Sequence, residues 1–147
     1  MKKCLHCGIA HDATDFRCPT CGEMPPRESG FLTFAPSLAH DNSGFKPDYF
    51  AALAACEASH FWFRSRNRLL VRAIETYAAK TGSFLEIGCG TGYVLSGVAA
   101  AYPALTLFGC DLYMEGLPFA AQNVPQASLF QMDARHIPYV EEFDTIG

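Results

Sequence analysis

Apolar residues gather in two short runs through the second half of this 147-residue chain, at 84–88 and 105–110, and the alternation of elements beyond them predicts further strands near 128–131 and 143–147. Runs of this length bounded by turn signals suit buried strands, and strands separated by helix-length segments suit a parallel sheet. Tyr93-Val94-Leu95 opens one such helical segment directly after a glycine-rich turn. Upstream, Leu69, Leu70, Ala73, Ile74 and Tyr77 recur at helical spacing, which predicts a helix laid across the sheet and ended by Gly82. Asp48-Tyr49-Phe50-Ala51-Ala52-Leu53-Ala54 predicts a further helix with Asp48 near its cap. Between residues 23 and 50 the periodicity breaks. Pro25-Pro26, Gly30, Pro36, Asn42-Ser43-Gly44 and Pro47 punctuate that segment, and only Phe31-Leu32-Thr33-Phe34 reads as a strand. The expected organisation is a small module at 1–24, a linker at 25–47 and an α/β unit at 48–147.

The end of the first long apolar run carries the sharpest chemical signal. Phe84-Leu85-Glu86-Ile87 passes straight into Gly88-Cys89-Gly90-Thr91-Gly92. A strand that turns at once into a helix through glycines leaves its backbone open to a bound nucleoside. Asp111, nineteen residues beyond Gly92, closes the next apolar run. Two such strand ends side by side make a ligand crevice. A dinucleotide fingerprint, G-x-G-x-x-G, needs glycine at position 93; Tyr93 stands there and disfavours a nicotinamide-dependent oxidoreductase.

With Glu86 ahead of Gly88, Gly90 and Gly92, and Asp111 ending the following strand, the sequence resembles the class I S-adenosylmethionine-dependent methyltransferases, whose first motif reads acid-x-Gly-x-Gly-x-Gly. Ala127-Ser128-Leu129-Phe130-Gln131-Met132-Asp133-Ala134 is similar to the family's third strand with its acid, and Phe143-Asp144-Thr145-Ile146-Gly147 to the start of the fourth. The resemblance implies a Rossmann-like methyltransferase fold with a partial parallel sheet. It also implies that Gly88, Cys89, Gly90 and Gly92 form the cofactor turn, and that Glu86 orders that turn and the cofactor's amino group. Asp111, with Leu112 beside it, would accept hydrogen bonds from the ribose hydroxyls, and Asp133 with Ala134 would lie at the adenine end. In such enzymes the protein mainly aligns an already electrophilic methyl group and keeps water out. The resemblance covers roughly residues 57–147, the cofactor-binding half of a sheet that usually has seven strands. Catalytic groups are therefore expected beyond Gly147, with little turnover by these residues alone and an exposed sheet edge able to drive association. His60-Phe61-Trp62-Phe63-Arg64-Ser65-Arg66-Asn67 also resembles a segment near the cofactor entrance in some members. Of its three aromatics two are expected in the core, which leaves one, with Trp62 the candidate, for a cleft or an interface.

Charge sharpens the division without changing it. Net charge is −4; residues 81–147 hold Arg135 as the only basic side chain against seven acids, whereas five of the six charged side chains in 60–80 are basic. Arg64, Arg66, Arg68 and Arg72 read first as a solvated helix face, and the acidic half disfavours wide nucleic-acid contact. No apolar run is long enough for a membrane span and no signal-peptide pattern opens the chain, so a soluble cytoplasmic protein is expected. Among the acceptors open to it (small metabolite, sugar, lipid precursor, RNA base or protein side chain) a small molecule is favoured. The alternative is a non-enzymatic zinc-ribbon protein or nucleic-acid binding module on a nucleoside-binding support.

Four of the seven cysteines form two matching knuckles, Cys4-x2-Cys7-Gly8 and Cys18-x2-Cys21-Gly22, ten residues apart. Each knuckle lets two thiolates converge while its glycine turns backbone amides toward sulfur, and four sulfurs suit a tetrahedral zinc ion. The pattern resembles a zinc ribbon or rubredoxin-like knuckle. A ribbon of this size buries little core, so the metal is expected to supply most of its folding energy, on the order of 10 kcal/mol. His6 and His11 are expected at the surface or behind the ligands, and Cys56, Cys89 and Cys110 as small core residues.

Overall fold

The computed structural model describes residues 1–41, 44–78 and 81–147; Asn42 and Ser43 of the turn expected at 42–44 lie outside the described residues. In chain order the elements are β1 (Lys2–Lys3), β2 (Ala10–His11), β3 (Arg27–Glu28), β4 (Phe31–Thr33), α1 (Asp48–Cys56), α2 (Phe61–Tyr77), β5 (Ser83–Ile87), α3 (Tyr93–Ala101), β6 (Thr106–Asp111), α4 (Leu117–Asn123), β7 (Ser128–Gln131) and β8 (Thr145–Ile146). The four expected strands form, and β7, β6, β5 and β8 lie side by side in parallel. Phe84 and Leu107 face Ile74, Leu95, Val98 and Val124 on the helical side. On the opposite face Leu85, Cys110, Phe130 and Met132 are covered by Tyr139 and Phe143, from the irregular crossover that joins β7 to β8. Among the described residues no helix is long and apolar enough to cross a membrane.

Residues 25–47 do more than link. β3 and β4 form a hairpin through Ser29 and Gly30, both at positive φ (50° and 90°), the backbone of a tight two-residue turn. β4 then pairs in parallel with β7, Leu32 opposite Phe130 and Thr33 opposite Gln131, so the sheet has six strands and its first half is not confined to 48–147. The buried Gln131 side chain secures this pairing: its Oε1 accepts from Ala35 N–H (2.9 Å), and its Nε2 donates to the carbonyls of Ala35 (3.0 Å) and Leu112 (2.8 Å). His40 adds a second tie, its ring nitrogens bonded to Glu28 and Glu115; those carboxylates raise its pKa above the ordinary histidine value.

The cysteine module sits against the same body. Lys3 N–H donates to Pro138 O (2.8 Å), Val140 N–H to Met1 O (2.9 Å), and Phe16 packs edge-on against Phe34 and Tyr139.

Helix α2 departs from expectation in its face and its end. Leu69 is 70% and Tyr77 88% exposed, while Asn67 and Ile74 are buried, with Val71 and Ala78 packed against the core. The stripe is turned because a polar residue fits the helix crossing: Asn67 Nδ2 donates to Tyr93 O (2.9 Å), and Tyr102 Oη donates to Val71 O (3.1 Å). The helix ends at Tyr77 rather than at Gly82. Gly82 instead presents its N–H to Asp144 Oδ2 (2.8 Å), which also accepts from Ser83 N–H (2.9 Å) and so holds β8 beside β5.

Candidate functional site

The turn after β5 is built from three glycines at positive φ, 74° at Gly88, 53° at Gly90 and 75° at Gly92. They serve different ends. A methyl on Gly88 would meet nothing within 4 Å, so its surface faces open space, whereas one on Gly92 would come within 2.9 Å of the Ala120 backbone of α4. Gly92 is therefore a packing requirement at the start of α3. The N–H groups of Gly88 and Cys89 both donate to Cys110 O (2.8 and 2.9 Å), which locks the turn to the end of β6.

Asp111 joins the two strand ends directly: its Oδ2 accepts from Gly90 N–H (2.8 Å) and its Oδ1 from Tyr113 N–H (3.0 Å). Burial pushes its carboxyl up, and the N–H groups of Tyr113, Gly90 and Leu112 pull it back. Each carboxylate oxygen has a second lone pair, so both can still accept from a ligand hydroxyl. Glu86 is buried with Oε2 unpartnered, and burial pushes its carboxyl up to about 8, opposed by nearby Arg66. With Gly88, Arg66, Leu70, Val94 and Ile146 it lines a groove of about 340 Å³. A buried acceptor lacking a donor beside an open glycine surface is what a ligand bearing an amine would complete.

The remaining predicted positions are not equivalent. Asp133 is held well below the usual carboxylate range by Arg135, whose Nε and Nη2 reach its oxygens at 2.8–3.0 Å. Ala134 is exposed and Leu112 half-buried. The Cys89 thiol packs with Ala39, Met114, Leu117 and Ala120, and burial drives its pKa well up, so only its backbone faces the turn. Burial likewise pushes Cys110 up to about 12. Phe61 (73%) and Trp62 (50%) are both exposed, against the expectation of two core aromatics; Phe63 is half-buried against Tyr93. Three residues that the sequence reading passed over also act here. Phe50 lies against Gly90, and Glu57 and Asn123 bond the side chain and carbonyl of Thr91. Thr91 sits inside the motif, but its partners carry no local sequence signal.

At the opposite end of the chain the sulfurs of Cys4, Cys7, Cys18 and Cys21 all lie within 4.8 Å of one another. The Cys4–Cys21 and Cys7–Cys18 separations are 3.7 and 3.6 Å. The two knuckles repeat one backbone pattern, Gly8 N–H to Cys4 O and Gly22 N–H to Cys18 O, each at 2.9 Å. His6 is exposed and His11 is buried with Nδ1 unpartnered.

Residues 84–147 match the family model described as a methyltransferase domain. No curated protein matches the chain. Among solved structures it is similar to the PH0226 protein of Pyrococcus horikoshii OT3 (23% identity, TM-score 0.58, 70% of this chain and 50% of that one). It is also similar to SAM-bound CalS10, an amino pentose methyltransferase from Micromonospora echinaspora (25%, 0.54, 73% and 43%). DesVI of Streptomyces venezuelae is a third (18%, 0.53, 70% and 42%). The chain thus spans half or less of the length of each. The chain shares a Rossmann-like α/β fold with these structures, and its 84–147 segment is similar to the methyltransferase domain family.

Proposed function

We propose that this chain binds S-adenosylmethionine across the ends of β5 and β6, and that the protein carrying it transfers the cofactor's methyl group to a small-molecule acceptor. The observation that carries the reading is the pairing of an open Gly88 surface with a buried, unpartnered Glu86 Oε2. When bound, the cofactor supplies a methyl group activated on a sulfonium centre. The chain's residues hold it. Asp111 keeps one lone pair on each oxygen for the ribose hydroxyls, and Glu86 faces the amino group. Gly88 and Gly90 let the backbone of the turn approach, with Cys89 and Gly92 shaping it. Leu112, Asp133 and Ala134 lie toward the adenine. Because both Asp133 oxygens are engaged by Arg135, the two side chains form one unit at that end. A small-molecule acceptor is supported by the amino pentose substrate in the name of CalS10 and by the chain's negative charge.

The cysteine cluster is read as a zinc site. Four sulfurs about 2.3 Å from one tetrahedral zinc lie about 3.8 Å apart, close to the two separations above. Its role is structural, since four thiolates leave no open position.

Titration calorimetry with S-adenosylmethionine, S-adenosylhomocysteine and NAD tests the cofactor reading. The two sulfur nucleosides should bind, and Asp111→Ala should weaken them by roughly 2–4 kcal/mol through lost charge-assisted bonds. Binding of NAD with no response to either nucleoside would reverse the assignment.

A further inference from the structure

Glu57 is a buried carboxylate that the cofactor reading does not use. It follows α1 directly, is 7% exposed, and both its oxygens lie within hydrogen-bond reach of Thr91 Oγ, at 2.8 and 2.6 Å. Thr91 stands between Gly90 and Gly92, is 2% exposed, and accepts through its carbonyl from Asn123 Nδ2 of α4 (2.9 Å). The threonine is therefore gripped from the end of α1 and from α4. Burying a carboxylate is unfavourable unless its bonds are well placed, so such a contact is informative about geometry rather than about stability.

The segment before Glu57 is tied to the other wall of the cleft. The Phe45 N–H lies 3.4 Å from Tyr113 Oη, two residues past Asp111, and the Phe45 ring packs on Phe50 at 4.8 Å. Phe50 in turn covers both turns: a methyl on Gly116 would come within 2.7 Å of its Cε1, and one on Gly90 within 3.8 Å. Residues 45–57 thus run as a strap from the loop after β6 to the glycine turn. The Gly90 N–H that reaches Asp111 is one residue from the end Glu57 holds.

We propose that Glu57 is a positioning residue for the glycine turn. By accepting the hydrogen bond of the Thr91 hydroxyl it fixes the backbone of residues 90–92, and with it the direction of the Gly90 N–H toward Asp111. The proposal rests on the reading of 88–92 as a cofactor turn for its functional meaning, but its geometric content is independent of any ligand.

The test therefore begins without cofactor, with amide spectra of the 147-residue chain assigned at Gly88, Gly90 and Gly92. Thr91→Val should displace these three resonances and speed their exchange, whereas Thr91→Ser, which keeps the hydroxyl, should restore them. Glu57→Ala should give the Thr91→Val pattern, Glu57→Gln should stay near wild type, and the Glu57→Ala/Thr91→Val double variant should add nothing further. If Glu57→Ala does not fold, the valine and serine variants at position 91 decide the matter. Titration with S-adenosylhomocysteine should then show about a tenfold loss for Thr91→Val and none for Thr91→Ser. Glycine resonances unmoved by Thr91→Val, or effects of the two positions that simply add, would overturn the proposal. A wild-type chain that fails to bind the nucleoside while its glycine resonances respond in this coupled way refutes the cofactor reading and supports the role of Glu57 on the turn.

Discussion

Gly88 and Gly92 share a left-handed backbone but answer to different neighbours, which separates the effects of the same substitution. Gly92→Ala drives a methyl into the Ala120 backbone and should cost stability by about 1–3 kcal/mol, visible as a lower melting temperature. Gly88→Ala carries only the left-handed strain of about 1–2 kcal/mol but places its methyl in open space, so its main effect should be on S-adenosylhomocysteine affinity in calorimetry. Glu86 supplies a pH signature. Burial raises its carboxyl from 4.5 to about 8, so between those values the folded chain holds a proton that the unfolded chain has lost. Stability should accordingly fall as pH rises through that window and level off above it, and Glu86→Gln should remove the slope in melts across about pH 5–9. An amine bound beside Glu86 would favour its ionised form, so nucleoside binding near neutral pH should release a proton, seen as buffer-dependent binding enthalpy.

At the scale of elements, what could be read from the sequence was local. The runs at 84–88 and 105–110 announce β5 and β6 because strands buried on both faces need continuous apolar residues, and the glycines at 88, 90 and 92 mark the turn by their spacing. By contrast β7, Ser128-Leu129-Phe130-Gln131, is legible only through the alternation of elements and the family resemblance. Phe31-Leu32-Thr33-Phe34 is equally strand-like, but its partner, β7, lies far along the chain and nothing local names it. The face of α2 departs from its hydropathy for a different reason. Hydropathy counts Leu69 and Tyr77 as core and Asn67 as surface, while the crossing with α3 selects Asn67 for its bond to Tyr93 O. The grip of Gln131 on Ala35 and Leu112 yields a prediction at this scale. Gln131→Met is close in volume but leaves buried backbone groups unpaired, so it should cost about 2–4 kcal/mol and raise hydrogen exchange at the Ala35 amide ahead of the β5 amides.

Over the whole molecule, the cysteine module and the sheet form one body through Met1, Lys3 and Phe16 on one side and Pro138, Tyr139 and Val140 on the other. Elemental analysis should find about one zinc per chain. Cys18→Ser should abolish it and loosen residues 1–24, leaving the helical circular dichroism of α2, α3 and α4 largely intact. An ordered module in metal-free, reduced protein would argue against the zinc assignment. The pairing of Leu32 with Phe130 has a further consequence, in time rather than in space. The two residues are 98 positions apart (130 minus 32), so at a synthesis rate of about 5–20 residues per second roughly 5–20 s pass between their emergence from a ribosome. The cysteine knuckles close over a short stretch and can capture metal during that interval. Phe31, Leu32 and Phe34 must meanwhile wait as an apolar edge without its β7 partner until residues 128–131 have emerged.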